Sequence, residues 1–190
     1  MPPPERLRAS ALRRPLEAAR LRLEPLGPGH AQPAFFEGLR DPELYRYETE
    51  QPPADLPSLR ERFTQLADGS GDEAEVWLNW VSLRRDDATA LGYVQATVDV
   101  ARASATIGYL VLTAHQRRGY GREAVDAMCA HLTAHGVVTL HAWIDVRNTA
   151  SVALVEGLGF ERVATGRSGD VIGGRRGYDH HYVRSAGEGR

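Results

Sequence analysis

A single cysteine and the absence of long apolar runs limit where this chain can work. Cys129 cannot form an internal disulfide, and it lies in a helical pattern where it is expected to be a small buried apolar residue in a reducing compartment. No apolar run approaches the length of a membrane span, and the N-terminus has arginines without the apolar segment of a secretory signal. We therefore expect a cytoplasmic protein without a membrane partner.

The chain also lacks a strong excess of charge of either sign. Its 23 basic and 25 acidic residues leave a formal net charge of −2, which provides no global basic field for nucleic acid. We therefore expect no nucleic-acid partner, and any anion must be bound locally. The length of 190 residues, of which 42% are hydrophobic, suits one well-packed globular domain.

The pattern along the chain predicts a mixed α/β fold between two poorly patterned ends. Residues 1–20 contain four prolines and five arginines without a clean periodicity, so we predict a mobile or loosely docked extension. The domain is predicted over 21–183, followed by a tail at 184–190. It begins with a strand containing Leu21 and Leu23, followed by helical segments at 28–39 and 56–66.

Three strand-like runs follow, and the later part of the chain alternates helices and strands. The runs cover 76–83, 93–100 and 105–112, and their links are too short for helical crossovers, so they should form an antiparallel meander. A helix is predicted from Tyr120 until Gly136, then a strand at 139–146, a helix capped by Asn148, and late strands at 160–163 and 179–183. Between the first two helical segments, 41–55 is either a solvated loop or a substrate-covering loop.

The decapeptide HQRRGYGREA at 115–124 combines three arginines and two glycines between a strand and a helix. Glycines let backbone N–H groups approach an anion, and a helix N-terminus offers unpaired donors with a favourable dipole. The combination indicates a phosphate-binding loop. Gly119 to Ala124 also fits the dinucleotide fingerprint G-x-G-x-x-A, but six residues separate the strand from the first glycine and the preceding meander does not suit that fold.

Two motifs resemble those of the GCN5-related N-acetyltransferase (GNAT) family. Q-R-R-G-Y-G at 116–121 matches its Q/R-x-x-G-x-G/A pattern, and N-T-A-S-V-A-L-V-E-G-L-G-F at 148–160 is similar to the N-x-x-S…G-F block of its RimJ/RimL-like branch. The resemblance extends over about residues 21–183. It implies a central, mostly antiparallel sheet with a splayed strand pair and flanking helices, and coenzyme A bound with its pantetheine arm in the gap.

Carried over by position, the resemblance also implies a set of cofactor contacts. The expected ligands of acetyl-CoA are Leu110, Val111, Leu112, Gln116, Arg117, Arg118, Gly119, Tyr120, Gly121, Arg122, Asn148 and Ser151. The loop residues would line the pyrophosphate, and the strand residues would offer backbone groups to the pantetheine and the thioester carbonyl. Asn148 and Ser151 would reach the cofactor from the following helix, although Asn148 can equally be a simple helix cap.

Two positions depart from the family pattern where protons have to move. Many relatives carry a tyrosine where this chain has Val155, so Ser151 is the predicted catalytic residue that would donate to the departing sulfur. A glutamate common in relatives is replaced by Thr106 in the run A-T-I-G-Y. The general base therefore stays open between water and five side chains, namely Asp99, Asp145, His141, Glu48 and Glu50.

The remaining chemical groups carry weaker indications. His180 and His181 are adjacent on a strand and should point to opposite faces, so we expect no metal site. Trp77, Trp80 and Trp143 could line a pocket, but aromatic residues on strands more often belong to the core.

The sequence therefore predicts an enzyme that transfers an acetyl group from acetyl-CoA directly to a primary amine. The acceptor would be a protein N-terminus or a small-molecule amine, and homodimer formation stays open. The alternative is a coenzyme A-binding regulatory module with little catalysis, which the absent glutamate and tyrosine favour.

Overall fold

The computed structural model describes residues 7–72, 74–172 and 175–187. Its helices are α1 (Ala9–Leu12), α2 (Pro33–Leu39), α3 (Leu56–Asp68), α4 (Tyr120–Ala134) and α5 (Thr149–Gly157), with 3₁₀ turns at Pro28–His30, Pro42–Tyr45 and Thr113–His115. Its strands are β1 (Leu16–Glu17), β2 (Leu21–Pro25), β3 (Glu75–Arg84), β4 (Ala90–Asp99), β5 (Ser104–Val111), β6 (Thr139–Asp145), β7 (Glu161–Ile172) and β8 (Arg175–Ser185).

The strands form one mixed sheet in the order β1-β2-β3-β4-β5-β6-β8-β7. The strands β3, β4 and β5 are successive antiparallel neighbours, which confirms the predicted meander. The strands β5 and β6 pair in parallel, while β8 pairs antiparallel with both β6 and β7. This mostly antiparallel order confirms the predicted fold class, and it excludes the dinucleotide interpretation, which needs successive parallel strands.

The strands β5 and β6 diverge after three paired positions. Their ladder runs from Ser104 opposite Thr139 to Thr106 opposite His141 and then stops. Beyond that point β5 stays paired with β4, and β6 stays paired with β8 as far as Asp145. Because each strand follows its outer neighbour, a wedge-shaped gap opens between the C-terminal halves of β5 and β6.

The two faces of the sheet are covered by different helices. On one face, α4 and α5 pack on alternate strand residues such as Leu78, Val94 and Leu140. On the other face, α2 and α3 cover Val81 and Tyr93 from β3 and β4. Within the described part of the chain, no helix combines the length and apolar character needed to cross a bilayer.

The prediction of a loose extension is wrong for residues 7–20. Leu7 and Leu12 are fully buried in the larger core cluster, and Leu16 lies on β1 beside them. Side chains from the body of the domain also bind the segment's backbone, because the Trp80 indole donates to the Arg14 carbonyl over 2.8 Å. This packing could not be predicted from the sequence, because the three leucines follow neither a helical nor a strand periodicity. Residues 1–6 lie outside the described residues.

The late strands are longer than their hydrophobic pattern predicted. They cover Glu161–Ile172 and Arg175–Ser185, and most of the described β7 side chains are exposed. An exposed edge strand lacks apolar alternation, which explains why the pattern ended at 163. The domain also extends two residues beyond the predicted boundary at 183, since Arg184 and Ser185 are still paired with β6.

Gly92 is required where β4 lies beside the diverging part of β5. Its φ is +152°, and a Cβ atom there would lie 2.0 Å from the Leu110 carbonyl oxygen. We predict that Gly92→Ala lowers the free energy of unfolding by at least about 2 kcal/mol, through backbone strain and the shift of β5. Denaturant unfolding measures the change.

Gly166→Ala is the matched control, since this glycine is also in a strand but has no atom within 4 Å of the added Cβ. A Gly92→Ala protein as stable as the control would show that β4 and β5 can separate here without cost.

Candidate functional site

The loop between β5 and α4 is shaped by two residues with left-handed backbone. Arg117 has φ of +58° and Gly119, the cap of α4, has φ of +81°. The first amide bonded back along α4 is that of Glu123, which donates to the Gly119 carbonyl over 3.1 Å. The preceding amides of the first turn have no acceptor within the helix, so they point out of its N-terminus, which is suited to an anion.

The loop side chains divide into exposed groups and groups with internal contacts. Arg117 and Arg118 are exposed beside the helix N-terminus. Gln116 instead donates to the Val111 carbonyl over 3.0 Å, and the Arg122 guanidinium donates to the Gly157 carbonyl over 2.8 Å. Gln116 thus holds the loop to β5 and Arg122 links α4 to α5, while their assignment as cofactor ligands stays a prediction.

Gly121 lies where α4, β5 and α5 approach one another. A Cβ atom at this position would lie 3.1 Å from Val111 and 3.2 Å from Leu154. The glycine therefore lets the start of α4 sit close to the wall of the gap. The sequence predicts that Gly121 lets a phosphate approach the backbone, and the structure adds the requirement that α4 packs closely on Val111 and Leu154.

Arg20, from the turn between β1 and β2, braces the phosphate loop. Its backbone N–H and its Nε both donate to the Glu123 carboxylate, over 2.6 and 2.7 Å, and its guanidinium donates to the Arg118 carbonyl over 3.0 Å. The same guanidinium stacks over the Tyr120 ring at 4.6 Å. This role was not predicted from the sequence, because Arg20 was assigned to the N-terminal extension.

The pairing of β5 decides which of its backbone groups face the gap. The Leu112 amide donates to Leu91 on β4, and the antiparallel ladder alternates, so Leu110 is directed toward β4 as well. The backbone groups of Tyr109 and Val111 are directed away from β4, beyond the end of the β6 ladder. The expectation that backbone groups of Leu110 and Leu112 serve a ligand in the gap is wrong, whereas Val111 keeps a suitable orientation.

The start of α5 lies across the gap from β5. Asn148 caps the helix by accepting from the Ser151 amide over 3.2 Å, which confirms its predicted capping role. The Tyr109 hydroxyl on β5 donates to the Ser151 carbonyl over 3.2 Å. Val155 is fully buried in the core, so no hydroxyl replaces the tyrosine of relatives at that position.

The Tyr109 side chain brings a hydroxyl group to the gap that was not predicted from the sequence. Burial raises its pKa to about 12, and this effect exceeds the opposite effect of the Ser151 side chain. The phenol therefore stays protonated at neutral pH, so it can donate a hydrogen bond but cannot act as a base. Its place directly after Gly108 in the run A-T-I-G-Y was the available sequence clue.

Three of the acidic candidates for the general base are held by arginines. Asp99 forms an ion pair with Arg102 at the end of β4 far from the gap. Glu50 is paired with Arg62. Both carboxylate oxygens of the buried Asp145 accept from Arg147, over 2.8 and 2.6 Å. The hydrogen bonds from Arg147 hold the pKa of Asp145 below its usual value, so this carboxylate is a poor proton acceptor.

His141 lies at the last position where β6 is paired with β5, which is where the gap begins. Its Nδ1 is 3.0 Å from Nε2 of His181 on the neighbouring β8. The His181 ring also stacks on Trp143, with a centroid distance of 4.0 Å and an angle of 2°. Burial, and to a smaller extent the charge of His141, lowers the pKa of His181.

A covering loop, residues 46–55, crosses from the α2 and α3 side toward the end of β6. The Arg147 guanidinium lies 5.6 Å from the Tyr47 ring centroid, which joins this loop to the turn before α5. At its base, the buried Tyr45 donates to the Leu39 carbonyl over 2.9 Å. These contacts tie the loop to the start of α5, while its substrate-covering role stays a prediction. Glu48, on the same loop, is among the charges that raise the pKa of Tyr109.

The other aromatic and histidine predictions have distinct outcomes. His180 contacts Thr165 over 2.7 Å while His181 contacts His141, so the two point to opposite faces as predicted. Trp80 is fully buried in the core, whereas 59% of Trp143 is exposed on the uncovered face of β6.

We predict that Arg20→Ala leaves the domain folded and makes the phosphate loop more mobile. The change removes the side-chain bonds to Arg118 and Glu123, so amide exchange across 117–122 should accelerate about fivefold or more, as expected for losing about 1 kcal/mol of local stability. Hydrogen–deuterium exchange with mass spectrometry measures it. Arg102→Ala, which breaks an exposed ion pair with Asp99, is the control. Equal exchange in both folded variants would contradict the bracing role.

Sequence comparison finds relatives among the acetyltransferases of ribosomal proteins. Over 100 residues, 52% of this chain, it is 34% identical to the [Ribosomal protein bS18]-alanine N-acetyltransferase of Salmonella typhimurium. The match spans 64% of that relative's length, just under two thirds.

Solved structures of low sequence identity share the fold. A GCN5-related N-acetyltransferase from Brucella melitensis superposes with a TM-score of 0.81 at 17% identity, covering 99% of this chain and 84% of that chain. RimL, a ribosomal L7/L12 alpha-N-protein acetyltransferase in complex with coenzyme A, superposes with a TM-score of 0.80 at 15% identity, covering 90% and 98%.

A family model decides the assignment. The acetyltransferase (GNAT) domain matches residues 20–161, more than half of the chain, and the matched range includes β5, the phosphate loop, β6 and α5. Its family's donor is acetyl-CoA, in agreement with the gap and the anion-binding loop. The family predicted from the two motifs is confirmed: this chain belongs to the GNAT acetyltransferase family.

Proposed function

We propose that this protein is an N-acetyltransferase that transfers the acetyl group of acetyl-CoA to a primary amine. The observation that carries the proposal is the wedge-shaped gap between β5 and β6, with the N-termini of α4 and α5 at its open end. An extended thioester arm fits between diverging strands, and its pyrophosphate meets the helix end that carries Arg117 and Arg118.

The cofactor's charged end is bound at the loop and its reactive end deeper in the gap. The first-turn amides of Tyr120, Gly121 and Arg122 donate to the pyrophosphate, with Arg117 and Arg118 supplying positive charge. The Val111 and Tyr109 amides are the backbone donors available for the pantetheine and the thioester carbonyl. A donor aimed at that carbonyl oxygen stabilises the negative charge that develops during attack by the amine.

Ser151 and Tyr109 supply the hydroxyl chemistry on the sulfur side. Ser151 is in the first turn of α5, and its backbone is fixed by the Asn148 cap and the Tyr109 hydroxyl. The Ser151 hydroxyl donates to the departing thiolate, while Tyr109 positions the helix turn that carries it. A neutral hydroxyl is a sufficient hydrogen-bond donor for the departing thiolate, so this step requires no ionised side chain.

The acceptor that we favour is the α-amine at the N-terminus of a protein or peptide. The Salmonella relative is named for acetylating an alanine of a ribosomal protein, and the fold neighbour RimL is named an alpha-N-protein acetyltransferase. The exposed strip beside Trp143, bordered by the covering loop, offers room for an extended peptide on the face opposite α4. The buried Cys129 suits catalysis in a reducing cytoplasm.

We predict acceptor-dependent release of coenzyme A when the protein is given acetyl-CoA and a short peptide with a free N-terminal alanine. Thiol release measured with a colorimetric reagent reports turnover, and mass spectrometry identifies the acetylated product. The same peptide with a blocked N-terminus is the control, and spermidine tests the small-amine alternative.

The sequence makes this assay clean, because all 23 basic residues are arginine and the chain has no lysine ε-amine to acetylate. Tight acetyl-CoA binding without acceptor-dependent turnover would instead establish the regulatory module. Failure to bind acetyl-CoA would overturn both proposals.

We predict that Ser151→Ala lowers kcat about tenfold or more and leaves the Kd of acetyl-CoA nearly unchanged. The lost hydrogen bond, worth about 1.4 kcal/mol or more, strengthens mainly as the thiolate departs. Steady-state kinetics and calorimetry separate the two effects. Ser70→Ala, in a distant exposed turn, serves as the control. An unchanged kcat in Ser151→Ala would assign thiolate protonation to water or to the acceptor ammonium.

A further inference from the structure

We propose that His141 is the proton acceptor for the attacking amine and that His181 is the residue that positions it. The inference rests on the proposed function and names the base for that reaction. It starts from the wedge between β5 and β6, where His141 marks the last paired position.

The sheet register places His141 beside the residue that replaces the glutamate of relatives. Thr106 on β5 is directly opposite His141 in the parallel ladder. The neighbouring residues Ala105, Leu140 and Ala142 are buried in the core under α4 and α5, so Thr106 and His141 both point to the other face. A basic side chain is therefore available on the adjacent strand at the same depth as the missing carboxylate.

The contact with His181 occupies one ring nitrogen of His141 and leaves the other for the acceptor. His141 Nδ1 and His181 Nε2 are 3.0 Å apart, so one of the two rings donates a hydrogen bond to the other. When His141 donates this hydrogen, its own Nε2 carries a free lone pair and can act as a base. The flat stack of His181 on Trp143 fixes the partner ring, so the pair holds His141 in one orientation.

The charged groups on this face leave His141 as the suitable proton acceptor. On β8, His181 is its partner and Asp179 lies opposite Asp145. On β6 itself, Asp145 is bound by Arg147. On the covering loop, Glu50 is paired with Arg62, and Glu48 is the competing carboxylate that the experiment must test.

The reaction balances with His141 as base. The acceptor ammonium gives a proton to His141 Nε2, directly or through one water, and the freed nitrogen pair attacks the acetyl carbonyl carbon. The tetrahedral intermediate then collapses, the C–S bond breaks and the electron pair leaves on sulfur. The nitrogen that attacked still carries one proton too many and gives it, directly or through water, to the thiolate hydrogen-bonded by Ser151, while the imidazolium loses its own proton to solvent, giving the amide and coenzyme A.

The first test compares pH profiles of kcat/KM for the alanine peptide. In the wild type, kcat/KM should rise with pH, because only an unprotonated base accepts a proton from the acceptor ammonium. His141→Gln should lower kcat/KM about a hundredfold at pH 7 and remove this rise, with acetyl-CoA Kd unchanged by calorimetry. His181→Asn should lower kcat/KM less and shift the rise without removing it. His135→Gln, at the end of α4, is the matched control.

Glu48→Gln provides the decisive comparison. If it abolishes the pH-dependent rise while His141→Gln retains it, the inference is overturned and the covering loop holds the base. If both variants keep the wild-type profile, the base is water and the inference also fails. If the wild type binds acetyl-CoA but acetylates no amine, the proposed function itself fails. That outcome is seen in the wild type alone, so it is distinguishable from a failure of the base assignment, which is seen in the His141 variants.

A second measurement requires no acceptor. Long-range ¹H–¹⁵N spectra of the folded protein with acetyl-CoA report the tautomer of each histidine at a pH where the rings are neutral. We expect His141 to carry its hydrogen on Nδ1 and His181→Asn to change its ring ¹⁵N shifts. A hydrogen on His141 Nε2 would remove the free lone pair and overturn the inference.

Discussion

The parting of β5 from β6 is the constraint on which the arrangement of the site depends. The strands β5 and β6 are a parallel pair inside an otherwise antiparallel sheet. On their outer sides β5 stays paired with β4 and β6 stays paired with β8, so the two strands diverge from each other. The divergence leaves the backbone amides of Tyr109 and Val111 without a strand partner on that side. They are therefore free of the β6 ladder at the position where helices α4 and α5 present their N-termini, and a ligand in the gap can accept from them.

The rigid surroundings of the gap come from distant parts of the chain. Arg20 binds Glu123 and the Arg118 carbonyl, so the segment before β2 braces the phosphate loop. Tyr47 lies against Arg147, so the loop after α2 reaches the opposite wall. Preorganised donors avoid reorganisation during the reaction, which is the main advantage of fixing a loop from several directions.

In the proposed mechanism, the proton-transfer groups at the gap differ from those that many relatives use. Val155 and Thr106 remove the two side chains that many relatives use, and each site has another polar group beside it in space. Tyr109 and Ser151 meet across the gap near Val155, while His141 is opposite Thr106. Backbone donors need no particular side chain, so the cofactor site can persist while the acid and base change position.

The local elements and the phosphate loop could be predicted from the sequence because their determinants are local. Period-two and period-3.6 patterns defined the meander and α4, and Gly119 with its arginines indicated an anion at a helix N-terminus. The packing of Leu7 and Leu12, the role of Arg20 and the choice among base candidates required the tertiary structure. Each depends on how the chain folds around the gap, and no periodicity records that Arg147 binds Asp145 or that His141 contacts His181 at the edge of the gap. The sequence by itself determined where a phosphate could bind and which helices and strands would form, whereas only the folding of the sheet decided which side chains face the gap, because that depends on strand register and on where two neighbouring strands separate.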